Sequence, residues 1–183
     1  MSGGWPSQRS LDGGLDEIPL PAVAGRLWLC GKHLVGPDPD AAMRRVDATL
    51  LVCLTEPHEL DARYPQYVAW LEQQRRADGS PSRAEWFPVP DLHAPPLDRY
   101  RPFLDLVVAR LRAGDRVIVH CAAGIGRAGT TATAILLLLG AEPSDALATV
   151  ARHRPMAGPE AGAQQDVIDE LSRQLGRTPA RRT

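Results

Sequence analysis

The stretch VIVHCAAGIGRAGT, residues 117–130, restricts the fold more than any other part of the chain. Its β-branched residues end at Cys121 and predict a buried strand, whereas the segment beginning near Arg127 has a helical pattern. Five residues join the two, and the two glycines among them allow the unusual backbone angles of so tight a loop. We call residues 121–127 the cysteine loop. A strand, a short loop and a helix in succession are typical of an α/β domain.

Strand and helix patterns alternate almost throughout the chain. They predict an α/β fold with a central, largely parallel sheet of about four or five strands flanked by helices. Besides the strand before the cysteine loop, strands are predicted at 25–31, 48–54 and 84–90, and helices at 38–47, from Pro65, at 98–114, 144–153 and 158–175. The residues placed to cap helices are Asp38, Asp98 and Ser144. In open sheets of this kind ligands bind at the carboxyl ends of the strands, which is where Cys121 lies.

The composition is that of a single soluble globular domain. The 183 residues carry a net charge of −1, so no basic field attracts nucleic acid or acidic membranes. The longest apolar stretch, residues 131–141, is too short to cross a bilayer, and no secretory signal is recognisable. Three widely spaced cysteines do not form a disulfide framework. We expect a cytoplasmic monomer with a loose N-terminal arm (1–22), one domain (23–176) and a frayed tail (177–183).

The cysteine loop has the residues of an anion site. Backbone amides between Cys121 and Arg127 can turn inward, and the helix that follows points its positive end at the same place. Arg127 offers a planar fork of donors that fits two oxygens of a phosphate or sulfate. These surroundings favour the thiolate form of Cys121, which is the nucleophilic form. The alternative is a structural cysteine at the end of a buried strand.

The segment HCAAGIGRAGT resembles the phosphate-binding loop of cysteine-dependent protein tyrosine phosphatases, and the short chain is similar to the dual-specificity subgroup. The order of elements from about Gly25 to Leu175 is similar too. The resemblance implies a protein tyrosine phosphatase-like fold and a two-step reaction without a cofactor. In it Cys121 attacks phosphorus and forms a phosphocysteine, which water then hydrolyses. The non-bridging oxygens are held by Arg127 and by the loop residues Ala122, Ala123, Gly124, Ile125 and Gly126.

The reaction also needs a proton donor on a neighbouring loop, for which Asp91, Asp98 and Asp115 are candidates. Asp115 begins the strand that ends at Cys121, so it lies at the wrong end of the sheet. Asp98 is interpreted as a helix cap. Asp91 follows a predicted strand in a proline-stiffened loop, and Pro90-Asp91 matches the Pro-Asp pair that the resembled family has about thirty residues before the cysteine. We therefore predict Asp91 as the general acid.

Other residues have supporting roles by resemblance. His120 is expected to support the loop by hydrogen bonding, and Gln164 or Gln165 corresponds to a glutamine that positions water in related enzymes. His93 is expected to face solvent. Some relatives protect the nucleophile with a second cysteine, but we interpret Cys53 as core packing. Arg152 and Arg154 are two of several paired arginines, which are usually solvated, although both are candidates to flank the pocket.

One position departs from the resembled family. Relatives carry Ser or Thr after the arginine, where the hydroxyl stabilises the departing thiolate in the second step, but this chain has Ala128. The alternative function is therefore a weak or inactive module that binds a phosphorylated partner. Sulfur transfer and arsenate reduction use similar loops, but they need no acid of the Asp91 kind. The loop has no lysine, which favours a phosphoprotein or phosphopeptide substrate over phosphoinositides.

No metal site is predicted. The spacings Cys30-x2-His33 and Cys53-x4-His58 are half-motifs for zinc, and nothing in the sequence completes a set of four ligands.

Overall fold

The structure is a computed structural model that describes residues 14–75 and 82–180. Its centre is a five-stranded sheet in the order β1-β2-β5-β3-β4. The strands are β1 Leu15–Ile18, β2 Arg26–Gly31, β3 Leu50–Cys53, β4 Ala84–Trp86 and β5 Arg116–Cys121. Within the described residues, four strands are parallel, and the edge strand β1 runs antiparallel to its neighbour β2. The predicted α/β fold with a largely parallel sheet of about four or five strands is confirmed.

Helices cover both faces of the sheet. They are α1 Lys32–Val35, α2 Pro39–Arg44, α3 Pro65–Arg75, α4 Leu97–Arg112, α5 Gly126–Leu138, α6 Pro143–His153 and α7 Gly162–Gln174, with a 3-10 turn at Pro57–Glu59. None of the helices within the described residues has the length and apolar character needed to cross a membrane.

The two faces of the sheet belong to two separate apolar cores. On β5, Val117, Val119 and Cys121 pack against α4 to α7, whereas Ile118 faces the core under α1 to α3. The alternation follows from the two-residue period of a strand. Since β5 is the central strand, hydrogen-bonded to β2 on one side and β3 on the other, Cys121 stands at the middle of the sheet's carboxyl edge.

The prediction of a loose N-terminal arm is wrong for residues 15–18. These residues form β1 because they pair with the free edge of β2, and Ile18 is buried in the core against α4 to α7. Ion pairs from Glu17 to Arg26 and from Asp16 to Arg154 hold the strand further. Residues 1–13 and 181–183 of the predicted arm and tail lie outside the described residues.

One of the three predicted helix caps is confirmed. Asp38 accepts a hydrogen bond from the backbone amide of Ala41 at 2.8 Å. Asp98 and Ser144 do not cap their helices, which begin earlier, at Leu97 and Pro143. In both cases a proline fixes the entry into the helix, at Pro96 for the first and at Pro143 itself for the second, so the polar residue falls inside the first turn.

Candidate active site

Cys121 ends β5, and the cysteine loop curls around its sulfur. Cys121 is 3% exposed, and the Gly124 amide donates to its Sγ at 3.2 Å. Gly124 has φ +73°, and a Cβ built there would overlap the carbonyl oxygen of Cys30 on β2. Only glycine fits this position, both for the backbone angle and for the space. Ala123 is exposed at the mouth of the loop, and Ile125 is half-buried.

The carbonyl groups of the loop are bound from outside. The Ala122 carbonyl accepts from the Lys32 amide at 3.0 Å, and the Ile125 carbonyl accepts from the Gly129 amide at 2.8 Å. Arg154 donates to the two carbonyls between them, to Ala123 through Nη2 at 2.8 Å and to Gly124 through Nε at 2.6 Å. In a trans peptide the N–H points opposite to the C=O, and the described residues contain no cis peptide. The amides of residues 123–126 therefore turn toward the inside of the loop. This arrangement is an anion-binding concavity.

Arg127 is the second residue of α5, and its side chain is only 1% exposed. Its two terminal nitrogens bind both carboxylate oxygens of Glu59, at 2.6 and 2.8 Å, and Nη1 also donates to the Val89 carbonyl at 2.9 Å. Burial opposes ionisation of Glu59, but the hydrogen bonds and charge of Arg127 outweigh it, so the pKa of this carboxyl lies below its ordinary value. The buried Nε of Arg127 has no hydrogen-bond partner among the described residues.

Asp91 lies beside the guanidinium, with Oδ1 at 3.2 Å from Arg127 Nη2 and a side chain 67% exposed. A tight turn places it there, since the His93 amide bonds the Pro90 carbonyl at 3.1 Å and Leu92 has φ +59°. The ring of His93 is exposed, as predicted, and its Nδ1 bonds the carbonyl of Asp91 at 2.7 Å. Cys121, Arg127 and Asp91 thus meet at one edge of the sheet.

The other two acid candidates lie elsewhere. Asp115 is at the opposite end of β5, where it pairs with Arg110 and accepts from Thr49 at 2.6 Å. Asp98 accepts a bond from the Arg99 amide in the first turn of α4. Neither contacts Arg127 within the described residues.

His120 is fully buried between the cysteine loop and α3. Its Nδ1 lies 3.2 Å from the Cys121 carbonyl, and its Nε2 lies 2.6 Å from the Tyr67 hydroxyl. Burial lowers the pKa of His120 to about 4, so the ring is neutral at physiological pH. Because a carbonyl only accepts, Nδ1 carries the proton and Nε2 accepts from Tyr67.

Gln164 is fully buried and links two loops at the site. Its Oε1 accepts from the Glu160 amide at 2.8 Å, and its Nε2 donates to the His93 carbonyl at 3.3 Å. A Cβ built at Gly126 would overlap the Glu160 carboxylate and lie 3.2 Å from Gln164 Oε1. Gln165 instead bonds Asp169 along its own helix, at 2.7 Å. Of the two predicted glutamines, Gln164 is therefore the one that borders the cysteine loop.

Cys53 packs in the core on the opposite face of the sheet from Cys121. It lies opposite His120 in the β3–β5 register, in the cluster that also holds Cys30. Burial raises the pKa of its thiol to about 11, and its Sγ is 3.1 Å from Thr55 Oγ1. All three cysteines are free thiols.

Sequence reasoning missed one of the charged residues that shape the site and named another, Arg154, only as a candidate. Glu59 gave only the signal of a local turn, the pattern Glu56-x-x-Glu59, whose side chains form a reciprocal cap. Arg154 was grouped with Arg152 as a flanking candidate, but the structure separates them. Arg152 is exposed, whereas Arg154 is the largest fully buried side chain among the described residues. Within those residues no three His, Cys, Asp or Glu side chains converge on a possible metal site.

The sequence profile of the Swiss Army Knife protein, DSP-PTPase phosphatase domain (PTP-SAK) matches residues 35–172. The chain belongs to this family. The match takes in Cys121, Arg127, Asp91 and Gln164, and β1 and β2 precede it. The resemblance to protein tyrosine and dual-specificity phosphatases is thereby confirmed.

Individual relatives of this PTP-SAK domain agree with the assignment. The chain is 33% identical over 101 residues to an Arabidopsis thaliana protein named phosphatidylinositol 3,4,5-trisphosphate 3-phosphatase and protein-tyrosine-phosphatase PTEN1. That match covers 52% of this chain and only 24% of the relative. Among solved structures, Tk-PTP in its active form is 26% identical, with a TM-score of 0.65 over 87% of this chain and 97% of that one. A kinase-associated phosphatase with serine in place of its catalytic-site cysteine shares the fold, at 17% identity and a TM-score of 0.72 over 89% and 96% of the two chains.

Proposed function

We propose that this chain hydrolyses phosphomonoesters through a phosphocysteine intermediate. Cys121 attacks phosphorus, while Arg127 and the amides of residues 122–127 hold the three non-bridging oxygens. The observation that carries this proposal is the Arg127 side chain. Its Nε is a buried donor that has no partner in the described part of the chain, and the residue lies in the first turn of the helix that follows the loop around Cys121. A buried unpaired donor is unfavourable, and a phosphate oxygen would satisfy it.

Asp91 is the proposed general acid. Its exposed carboxyl stands next to Arg127, on the solvent side of the loop, where the leaving group of a bound phosphate would emerge. In the first step it protonates the leaving oxygen as the P–O bond breaks and the S–P bond forms. In the second step the same carboxylate takes a proton from water, which attacks phosphorus and releases the thiolate of Cys121. Gln164, buried beside Gly126, is the proposed residue that positions this water.

A phosphoprotein is the proposed substrate. Ala122, Ala123 and Ile125 give the cysteine loop no cationic side chain, and the nearby Leu92 and Met156 are exposed apolar side chains, at 53% and 69%. A polyphosphorylated inositol ring carries several phosphate groups and would find no further cation on these residues. The relevant comparison is the rate of phosphate release from a phosphotyrosine peptide, a phosphoserine peptide and phosphatidylinositol 3,4,5-trisphosphate. Faster release from the lipid would overturn this part of the proposal.

A phosphate-binding module without turnover is the second candidate, and Ala128 favours it. This residue is fully buried and has no hydroxyl to offer the departing thiolate. Thr131 does not replace it, because its Oγ1 bonds the Arg127 carbonyl and the Tyr100 hydroxyl.

Hydrolysis of an aryl phosphate by the wild type, Cys121→Ser and Asp91→Ala decides between the two candidates. A phosphatase loses all turnover in the first variant, and in the second loses about 10²- to 10⁴-fold, the usual contribution of a general acid. Activity that survives Cys121→Ser would refute the mechanism. A wild type that binds inorganic phosphate but releases no phenol would establish the binding module.

A further inference from the structure

Arg154 holds more of the cysteine loop than any other side chain in the described part of the structure. It lies directly after α6, and its guanidinium spans two successive loop carbonyls, Ala123 through Nη2 at 2.8 Å and Gly124 through Nε at 2.6 Å. The side chain is 1% exposed. Its own backbone is fixed as well, since its amide bonds the Val150 carbonyl and its carbonyl accepts from the Ala157 amide, both at 2.9 Å.

The third side of the guanidinium faces the edge strand β1. Arg154 Nη1 pairs with Asp16 Oδ2 at 2.7 Å, and the Asp16 side chain is only 12% exposed. Asp16 stands opposite Leu29 in the β1–β2 register, and Nη1 lies 3.4 Å from the Leu29 carbonyl. One buried side chain therefore ties the N-terminal strand to the loop that surrounds Cys121.

We propose that Arg154, supported by Asp16, is the positioning residue that turns the loop amides toward the bound phosphate and toward the thiolate. Because each peptide is trans, fixing the Ala123 carbonyl outward fixes the Gly124 amide inward, and fixing the Gly124 carbonyl does the same for the Ile125 amide. The first of these amides already bonds the sulfur of Cys121, at 3.2 Å. Arg154 contacts the loop at these two carbonyl groups, so it acts on phosphate and sulfur through the peptides that carry them.

The geometry requires arginine. Its donors lie in one rigid plane and reach the two carbonyls and the carboxylate together, whereas a lysine ammonium is a point charge that cannot span them. The space is restricted too, because a Cβ built at Gly124 would lie 2.8 Å from Arg154 Nη2. Loss of Arg154 leaves the Ala123 and Gly124 carbonyls and the Asp16 carboxylate without these donors, so the loop peptides become free to rotate.

The test compares Arg154→Met, Arg154→Lys and Asp16→Asn with Arg152→Met, an exposed arginine of the preceding helix that serves as the matched control. Three quantities are measured on the full chain. They are kcat/KM with an aryl phosphate, the rate of Cys121 alkylation by iodoacetamide at mildly acidic pH, and the protection of Cys121 by inorganic phosphate. Thermal unfolding of each variant reports folding.

We expect Arg154→Met to lower kcat/KM by about 100-fold, the effect of losing one preorganised amide donor. Alkylation of Cys121 slows because its thiolate loses the Gly124 amide, and protection by phosphate weakens. In Arg154→Lys kcat/KM falls almost as far, and in Asp16→Asn it falls less. Arg152→Met keeps the wild-type value. A purely structural role would lower the melting temperature and leave alkylation and protection unchanged.

The kinetic readout rests on the proposed function, but alkylation and phosphate protection do not. If the wild type shows no turnover, the proposed function fails while these two measurements still decide the role of Arg154. A folded Arg154→Met with wild-type alkylation and protection would overturn the inference. If that variant does not fold, wild-type values in both Arg154→Lys and Asp16→Asn overturn it equally.

Discussion

The buried, neutral His120 gives this protein a definite acid sensitivity. In the unfolded chain the ring has its ordinary pKa of 6.5, whereas burial lowers it to about 4 in the fold. Between these values the unfolded chain binds a proton that the folded chain does not, so stability falls as the pH falls. The contribution is fully present above pH 6.5 and is lost as the pH approaches about 4. A difference of two to three pKa units corresponds to about 3 kcal/mol, at about 1.4 kcal/mol per unit.

The assay is denaturant unfolding across that pH window for the wild type and His120→Asn. Asparagine keeps an N–H donor for the Cys121 carbonyl and has no group that titrates. We expect the wild type to lose about 3 kcal/mol more than the variant as the pH falls from above 6.5 to about 4. The carboxyls of Glu17, Glu59 and Asp115, whose pKa values are lowered in the fold, are present in both proteins and cancel in the difference.

Two results would refute this reasoning. Parallel pH profiles for the two proteins would mean that His120 titrates alike in the folded and unfolded chains. An NMR titration of the His120 ring in the folded protein with a midpoint near 6.5 would contradict the burial argument directly.

Three further predictions concern the surroundings of the loop. Tyr67→Phe removes the hydroxyl that donates to His120 and should reduce the free energy of unfolding by about 1–3 kcal/mol, measured by denaturant titration; an unchanged midpoint would contradict the assigned tautomer. The wild type lacks the hydroxyl that stabilises the departing thiolate, so it should show a burst of leaving group in stopped-flow traces. Ala128→Ser supplies this hydroxyl and should turn over at least ~10-fold faster. A linear wild-type trace with fast turnover would contradict this prediction. Gly129→Ala drives a Cβ onto the backbone of Gly158 and Ala157, which cannot move aside as a flexible side chain can, and should cost about 1–3 kcal/mol in thermal unfolding, whereas Gly162→Ala, at the start of α7 with open space around it, should be neutral; equal melting temperatures would contradict this close contact.

Local sequence patterns were sufficient where an element depends on its own residues. The apolar run of β5, the glycines of the loop and the helix after Arg127 lie in one continuous stretch, so their order fixed the position of Cys121. Asp91 follows β4, which is parallel to β3, and β3 in turn is parallel to β5. The Pro90-Asp91 pair therefore lies at the same sheet edge as Cys121. Parallel strands place their carboxyl ends together, and this rule needs no side-chain detail.

The two wrong helix caps had a local cause in their prolines, but the errors in the edge strand and in the site came from contacts between distant parts of the chain. Residues 15–18 contain two acidic residues and no strong strand pattern, and they become β1 only because β2 offers a free edge. Glu59 is 68 residues from the arginine it binds, and Asp16 is 138 residues from Arg154. Glu59 lies in a short turn, and Arg154 is one arginine among several, so the local sequence gives no signal of either ion pair. Which of these charged residues is buried and paired depends on the tertiary fold.

Arg154 and Asp16 act on the outer side of the cysteine loop, which the Cys-x5-Arg motif does not describe. The Cys-x5-Arg spacing accounts for the inner surface, where sulfur, amides and guanidinium converge. Carbonyls that face outward need donors as much as the amides need an anion, and those donors come from α1, from Arg154 and from within α5. Two chains with the same loop sequence can therefore differ in how firmly the amides are held. In this chain the loop amides are held by the buried Arg154, which pairs with the Asp16 carboxylate on β1. Turnover should therefore respond to changes in β1 as well as in the loop itself.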